Sequence, residues 1–214
     1  MTWSTYVAVG DSLTAGTGDA GRDGLRIGWA QRLADILSVR TAVRCQLTNL
    51  AVDTATVSQV LSGQLPAAAA AKPDLLSLTV GMNDIRTRRF DELSFKAGLG
   101  QLLEALAATE ATILTSTLPD ITAVMGLSPE MGEVARERTR LASDIIREQA
   151  ESYGAICLDA WAMPDLADVD LYGPDRVHPN GRGHQLIAAA FADKLAPRWS
   201  SMPQGRTGPV AAAQ

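Results

Sequence analysis

Short apolar runs of strand length alternate along this chain with longer segments in which apolar residues return every three or four positions. An uninterrupted short run is the pattern of a strand buried on both faces, and the longer period is one face of a helix. Tyr6 to Val9 predicts a first strand, and Trp29, Leu33, Ile36 and Leu37 predict the helix after it. Val43 to Leu50 reads as the second strand. Thr56 to Lys72 then has helical spacing at Val57, Val60 and Leu61, with Pro66 expected to break or kink it. Leu75 to Val80 is the most continuous apolar run and predicts a central strand. Phe95, Leu99, Leu102, Leu103 and Leu106 mark a helix, and Thr112 to Thr115 a fourth strand. Ser128 suits an N-cap with Pro129 at the first helical position, and Met131, Val134, Leu141, Ala142, Ile145 and Ile146 would face the core from that helix. Ala155 to Leu158 is a short fifth strand. Leu186, Ile187, Ala190, Phe191 and Leu195 share one face of a last helix, expected to stop at Pro197.

Strands alternating with helices predict an α/β fold: a five-stranded parallel sheet covered on both faces, with right-handed crossovers. Ligands of such sheets bind in a crevice at the carboxyl ends of the strands. Chemistry is therefore sought in the turns that follow the strands.

Length and composition narrow the field. The 214 residues suit one domain, expected at 1–199, followed by an aperiodic stretch at 200–214 that reads as a disordered tail. No run of eighteen apolar residues is present, so no membrane span is predicted. The chain passes from Met1 into Tyr6-Val7-Ala8-Val9 without a basic stretch, which predicts a cytoplasmic protein unless a signal peptide has been removed. A net charge of −5 offers a nucleic-acid backbone no general attraction, so no nucleic-acid partner is expected. Cys45 and Cys157 lack the CxxC spacing and lie in apolar runs, which makes them core residues rather than metal ligands.

Gly10-Asp11-Ser12-Leu13-Thr14-Ala15-Gly16 follows the first strand, so a hydroxyl stands at a strand end between glycines that allow a sharp turn. Alone, this is equally an Asx turn. Near the other end of the chain, Asp175-Arg176-Val177-His178-Pro179 precedes the last helix. A serine hydroxyl needs an imidazole base at neutral pH, and the imidazole needs a carboxylate to fix its tautomer. His178 and Asp175 supply both. The only other histidine, His184, falls inside the last helix and reads as structural. After the central strand comes Gly81-Met82-Asn83-Asp84, where the Asn83 amide can donate to an oxyanion. Asp11 and Asp84 suit caps and hydrogen-bond acceptors better than a metal site, so no metal or organic cofactor is predicted.

These stations together resemble the GDSL or SGNH hydrolase family: Gly10-Asp11-Ser12-Leu13 its first block, Gly81-Met82-Asn83-Asp84 its third, and Asp175-Arg176-Val177-His178 its fifth. The resemblance implies a three-layer α/β/α sandwich of flavodoxin type and a serine esterase. In it Ser12 is the nucleophile, His178 the base and then the acid, and Asp175 the residue that orients His178. The oxyanion hole it implies consists of the N–H of Ser12, the N–H of the residue at position 54, and Asn83. The family usually has glycine at that second station, whereas this chain has Asn49-Leu50-Ala51-Val52-Asp53-Thr54. A threonine keeps the N–H but is strained if the backbone there needs a positive φ, and Asp53 sets a carboxylate beside a site for negative charge.

The expected substrate is a small-molecule or lipid-like ester, with a thioesterase, a lysophospholipase or a non-catalytic binding module on the same fold as alternatives. A nucleotide-binding domain would want GxGxxG after the first strand, which is missing. Apolar residues at Ile121, Val124, Met125 and Leu127, and at Trp161, Met163, Leu166, Val169, Leu171 and Tyr172, would line an acyl pocket or pack the loops down. Arg86, Arg88 and Arg89 would steer an anionic substrate, pair with Asp91 and Glu92, or be solvated.

Overall fold

A computed structural model describes residues 2–199. Its strands β1 (Thr5–Gly10), β2 (Gln46–Asn49), β3 (Leu75–Thr79), β4 (Thr112–Ser116) and β5 (Ile156–Leu158) form one sheet in the order β2-β1-β3-β4-β5. Every pairing is parallel. The chain leaves β1 for β2 on one side and returns to β3 on the other, so the strand order reverses between β1 and β3. That reversal opens a crevice at the strand ends.

The helices are α1 (Ser12–Ala15), α2 (Gly28–Thr41), α3 (Val57–Gly63), α4 (Leu65–Ala70), α5 (Met82–Ile85), α6 (Glu92–Ala107), α7 (Thr122–Met125), α8 (Pro129–Ser152) and α9 (Gly181–Trp199). Short 3-10 turns occupy much of 160–171. Side chains alternate across each strand, so the sheet builds two cores. Tyr6 and Ala8 join Leu33 and Leu37 of α2 and Leu195 of α9, where Trp29 stacks on Phe191 with ring centroids 4.6 Å apart. Val7 and Val9 face Val60 of α3, Leu99, Leu102 and Leu103 of α6, and Ile145 and Ile146 of α8. β3 lies between two helical layers and is buried along its whole length, its polar Ser77 and Thr79 satisfied by Tyr6 and Thr14.

Several boundaries differ from the sequence pattern. β2 starts at Gln46 rather than Val43, because it is an edge strand and its only partner, β1, begins at Thr5 opposite Gln46. The helical run from Thr56 breaks at Gln64, and Pro66 falls in the first turn of the second piece, where its missing N–H costs nothing. Met131 and Val134 are exposed rather than in the core. At 24 residues α8 is about 36 Å long, so its first turns run past the short strands it covers. Pro197 lies inside the last turn of α9, which continues to Trp199, since a proline there removes one hydrogen bond without opposing the helical φ. Cys45 is buried and Cys157 half-buried, and both are free thiols. The expected tail at 200–214 lies outside the described residues. Among the described residues no helix is long and apolar enough to cross a membrane.

Candidate active site

β1 ends on Gly10, whose φ is 144° and whose added Cβ would stand 2.1 Å from the Thr79 carbonyl oxygen. Only glycine fits there. The Asp11 side chain caps α1 by accepting from the Leu13 N–H at 3.0 Å, which makes Ser12 the first helical residue. Its N–H is one of the donors that a helix start leaves without an internal partner. From below, Thr14 and Thr79 share a buried hydrogen bond.

His178 reaches this serine from the loop before α9. Its Nε2 is 2.9 Å from Ser12 Oγ, and its Nδ1 is 2.7 Å from Asp175 Oδ2. A carboxylate can only accept, so Nδ1 carries the proton and Nε2 accepts from the Ser12 hydroxyl. The other Asp175 oxygen accepts from the backbone N–H groups of Val177 and His178 at 3.0 and 3.1 Å. The loop is closed by the Gly173 N–H on the His178 carbonyl at 2.9 Å. Asn180 caps the following helix through the N–H groups of Arg182 and Gly183, and Pro179 sits outside it in a bridge to Tyr172.

Asn83 lies in α5 directly after β3, across the crevice from β1. Its Nδ2 donates to the Ala55 carbonyl at 3.1 Å and, at 3.4 Å, to Asp11 Oδ2. The second contact is at the limit of a hydrogen bond, so it holds the amide weakly. Thr54 belongs to a turn closed by the Ala55 N–H on the Val52 carbonyl at 3.2 Å. Its φ is 64°, the left-handed conformation that glycine adopts without strain. Asp53, beside it, is held by Arg26 at 2.6 and 2.8 Å.

Burial sets the charges. Desolvation pushes the Asp11 carboxyl up to about 7, against the pull of the Leu13 N–H and of His178. Asp84 is pushed up to about 6 for the same reason, although the Val57 N–H donates to it. For Asp175 desolvation acts upward, but the hydrogen bonds from His178 and from two backbone N–H groups outweigh it and hold the carboxyl at about 2. At neutral pH it is therefore ionised. His184 is buried, receives the Trp29 N–H at Nδ1 and donates from Nε2 to the Thr17 carbonyl, and burial lowers its pKa. No three His, Cys, Asp or Glu side chains gather as metal ligands would among the described residues, so Asp11, Asp84, Asp175 and His178 do not form a ligand set.

Ser12, Thr54, Asn83 and His178 line one cavity of about 170 Å3 whose floor is Val80, Leu118, Leu158, Leu166 and Ile187. Of the apolar loop residues, Ile121, Leu166 and Tyr172 reach this cavity. Val124 and Leu171 pack with Ile121 and Tyr172 into a small core of their own, and Val169 is exposed. A wider groove of about 530 Å3 adjoins the cavity through Met82, Arg86 and Ile121, and runs beside Met125, Met131 and Val134. Arg86, Arg88 and Arg89 are exposed, and among the described residues none is ion-paired with Asp91, which instead caps α6.

Sequence reasoning missed Gln64. Its buried amide donates to the Gly10 carbonyl and accepts from the Gly10 N–H, both at 2.8 Å, stitching the end of β1 to the break between α3 and α4. An amide residue at the break in a helical run was the only hint. It missed the pairing of Arg26 with Asp53 as well, which no local motif signals.

A serine, an imidazole and a carboxylate in one hydrogen-bonded chain, beside an amide at the switch point of an α/β sheet, is an arrangement suited to acyl transfer. The profile of the GDSL-like lipase/acylhydrolase family matches residues 8–186, and the chain belongs to that family of hydrolases. An acetylxylan esterase of Geobacillus stearothermophilus is 26% identical over 140 residues, which span 61% of this chain and 63%, less than two thirds, of that protein. The fold is shared with LAE5, an alpha/beta hydrolase enzyme from the metagenome of Lake Arreo, at a TM-score of 0.73 and 23% identity over 90% of this chain and 95% of that one. It is shared equally with the psychrotrophic esterase EstA from Pseudoalteromonas sp., at 0.70 and 19% over 92% and 100%.

Proposed function

We propose that this protein hydrolyses carboxylic esters with short acyl groups through an acyl-enzyme on Ser12. The observation that carries the reading is the contact of 2.9 Å between Ser12 Oγ and His178 Nε2, with Asp175 behind it at 2.7 Å. Ser12 Oγ attacks the ester carbonyl while His178 Nε2 takes the hydroxyl proton. The carbonyl oxygen becomes an oxyanion facing the N–H of Ser12, the N–H of Thr54 and the amide of Asn83, which turns from its weak contact with Asp11. The C–O bond to the leaving alcohol then breaks, and His178 hands the proton to that oxygen. Water, deprotonated by His178, attacks the acyl-enzyme and releases the acid and free Ser12. Asp175, ionised throughout, stabilises the imidazolium in both halves.

The size of the cavity supports a short acyl group, since 170 Å3 lies below the usual range of ligand pockets. A relative named for removing acetyl groups agrees with that size. A second reading, a thioesterase or lysophospholipase using the same serine, is favoured by the adjoining groove of about 530 Å3, which has apolar walls for a longer chain. A fluorophosphonate probe followed by peptide mass spectrometry tests the nucleophile: Ser12 should carry the label and the Ser12→Ala protein none. Aryl esters of two to sixteen carbons test the substrate, with the highest kcat/KM expected at the short end. A maximum at ten carbons or more would favour the second reading, and labelling at another residue would sink both.

A further inference from the structure

Thr54 keeps a φ of 64° without being glycine, so something outside the residue holds it there. The turn it occupies is fastened at each end: the Val52 N–H donates to the Gly10 carbonyl at 3.2 Å, and the Ala55 carbonyl accepts from Asn83 at 3.1 Å. Between these points Asp53 receives Arg26 Nη1 at 2.6 Å and Nη2 at 2.8 Å, and Thr17 Oγ1 at 3.1 Å. We propose that Arg26 is a positioning residue for the oxyanion hole, whose two-pronged hold on Asp53 keeps Thr54 in the left-handed conformation and so aims its N–H. This rests on the reading of Ser12 as an acyl-transfer nucleophile.

Arg26 is itself well placed to act as a fixed point. It forms a bridge with Ala20, and the next two residues are tied to Asp19: the Ile27 N–H donates to its carbonyl at 2.9 Å and the Gly28 N–H to its carboxylate at 3.1 Å. Asp19 is buried and paired with Arg32 at 2.9 Å. The same 16–28 segment meets the base. Thr17 accepts from His184, and Gly18 packs so closely on Pro179 that a Cβ there would stand 2.2 Å from the Pro179 carbonyl oxygen. One loop thus braces the Thr54 turn against the His178 loop.

The Arg26–Asp53 pair is 46% and 43% exposed, and exposed pairs contribute little to stability. A two-pronged guanidinium–carboxylate contact, however, fixes direction as well as distance. Hydrogen bonding by Arg26 also holds the Asp53 carboxyl below its ordinary range, which favours the charged pair. The device should therefore be visible in catalysis and nearly silent in melting.

The test is a cycle of Arg26→Ala and Thr54→Gly, alone and combined, with Arg26→Lys as the conservative variant. Each is measured for kcat and KM on an aryl acetate, for inhibition by a phenylboronic acid whose tetrahedral adduct on Ser12 puts an oxygen into the hole, and for Tm. Releasing one strained residue should lower kcat about tenfold in Arg26→Ala and weaken the boronate in step, with KM and Tm nearly unchanged. With glycine at 54 the left-handed conformation needs no holding, so Arg26→Ala should then cost less than about threefold. Arg26→Lys should restore part of the loss. An equal loss in both backgrounds, a loss confined to KM, or one that follows Tm would overturn the proposal. Wild-type protein in which Ser12 takes no fluorophosphonate would overturn the reading of the nucleophile instead.

Discussion

The loop that carries His178 and the turn that carries Thr54 line the same cavity, yet they are held by opposite means. The His178 loop is held from within: Asp175 takes the imidazole and two backbone N–H groups on its own two oxygens, and the loop closes through Gly173. The Thr54 turn is held from outside, by Gly10, Arg26 and Asn83, each contributed by a different part of the fold. A local set of bonds needs little more than its own few residues. A distributed set exists only when the sheet and its crossovers are complete, and it passes on any shift in those elements. The His178 loop should therefore respond sharply to changes within itself, and the Thr54 turn to changes elsewhere.

The largest test removes what both regions serve. Ser12→Ala should lower kcat on an aryl acetate by about a millionfold, the scale seen when a catalytic serine is lost, with the circular dichroism spectrum unchanged. Asp175→Asn breaks the local set at its centre. Loss of the charge and of the enforced tautomer should lower kcat about 10^4-fold, while KM changes little. Asn83→Ala cuts the distributed set and removes a donor, so the expected loss is about 3 kcal/mol in the transition state, read from kcat/KM. A loss under tenfold would mean that the backbone donors suffice.

Gly18→Ala strikes the contact between the 16–28 segment and the His178 loop, where φ is 94° and the Pro179 carbonyl is in the way. It should lower stability by about 1–3 kcal/mol in urea unfolding and reduce kcat through the displaced His178 loop. The last test concerns Asp11. Its folded pKa of about 7 lies above its ordinary value of 3.8, so the unfolded chain releases this proton first. Its contribution to stability is present below pH 4 and is lost as the pH rises through about 7. Wild-type Tm should fall between pH 5 and pH 8, and Asp11→Asn should flatten that fall. An identical slope in the variant would show that Asp11 is not the group responsible.

The contrast between the two regions also explains what could be read from the chain. Ser12, Asn83, Asp175 and His178 sit in short motifs directly after strands or before the last helix, so the elements and the candidate residues were legible together. The partners of the Thr54 turn were not. Arg26 is 27 residues from Asp53 and Gln64 is 54 from Gly10, and no spacing rule links residues that only crossovers bring together. Boundaries failed for a related reason. The start of β2 is set by where β1 begins, and the exposure of Met131 by how far α8 overshoots the sheet, neither of which is a property of the local pattern.

Ser12 and His178 stand 166 residues apart, one after the first strand and the other just before the last helix. During synthesis Ser12 emerges early and waits, and it meets His178 only when nearly all of the domain has left the ribosome. β1 cannot settle early either, because it is flanked by β2 and β3, both made after it. A chain with such distant pairings folds slowly compared with one built on neighbours. Turnover is therefore a late reporter: in a refolding experiment, ester hydrolysis should return with the final phase, after the helical signal has already recovered. A truncated or stalled chain would carry the serine yet be unable to act on the esters around it.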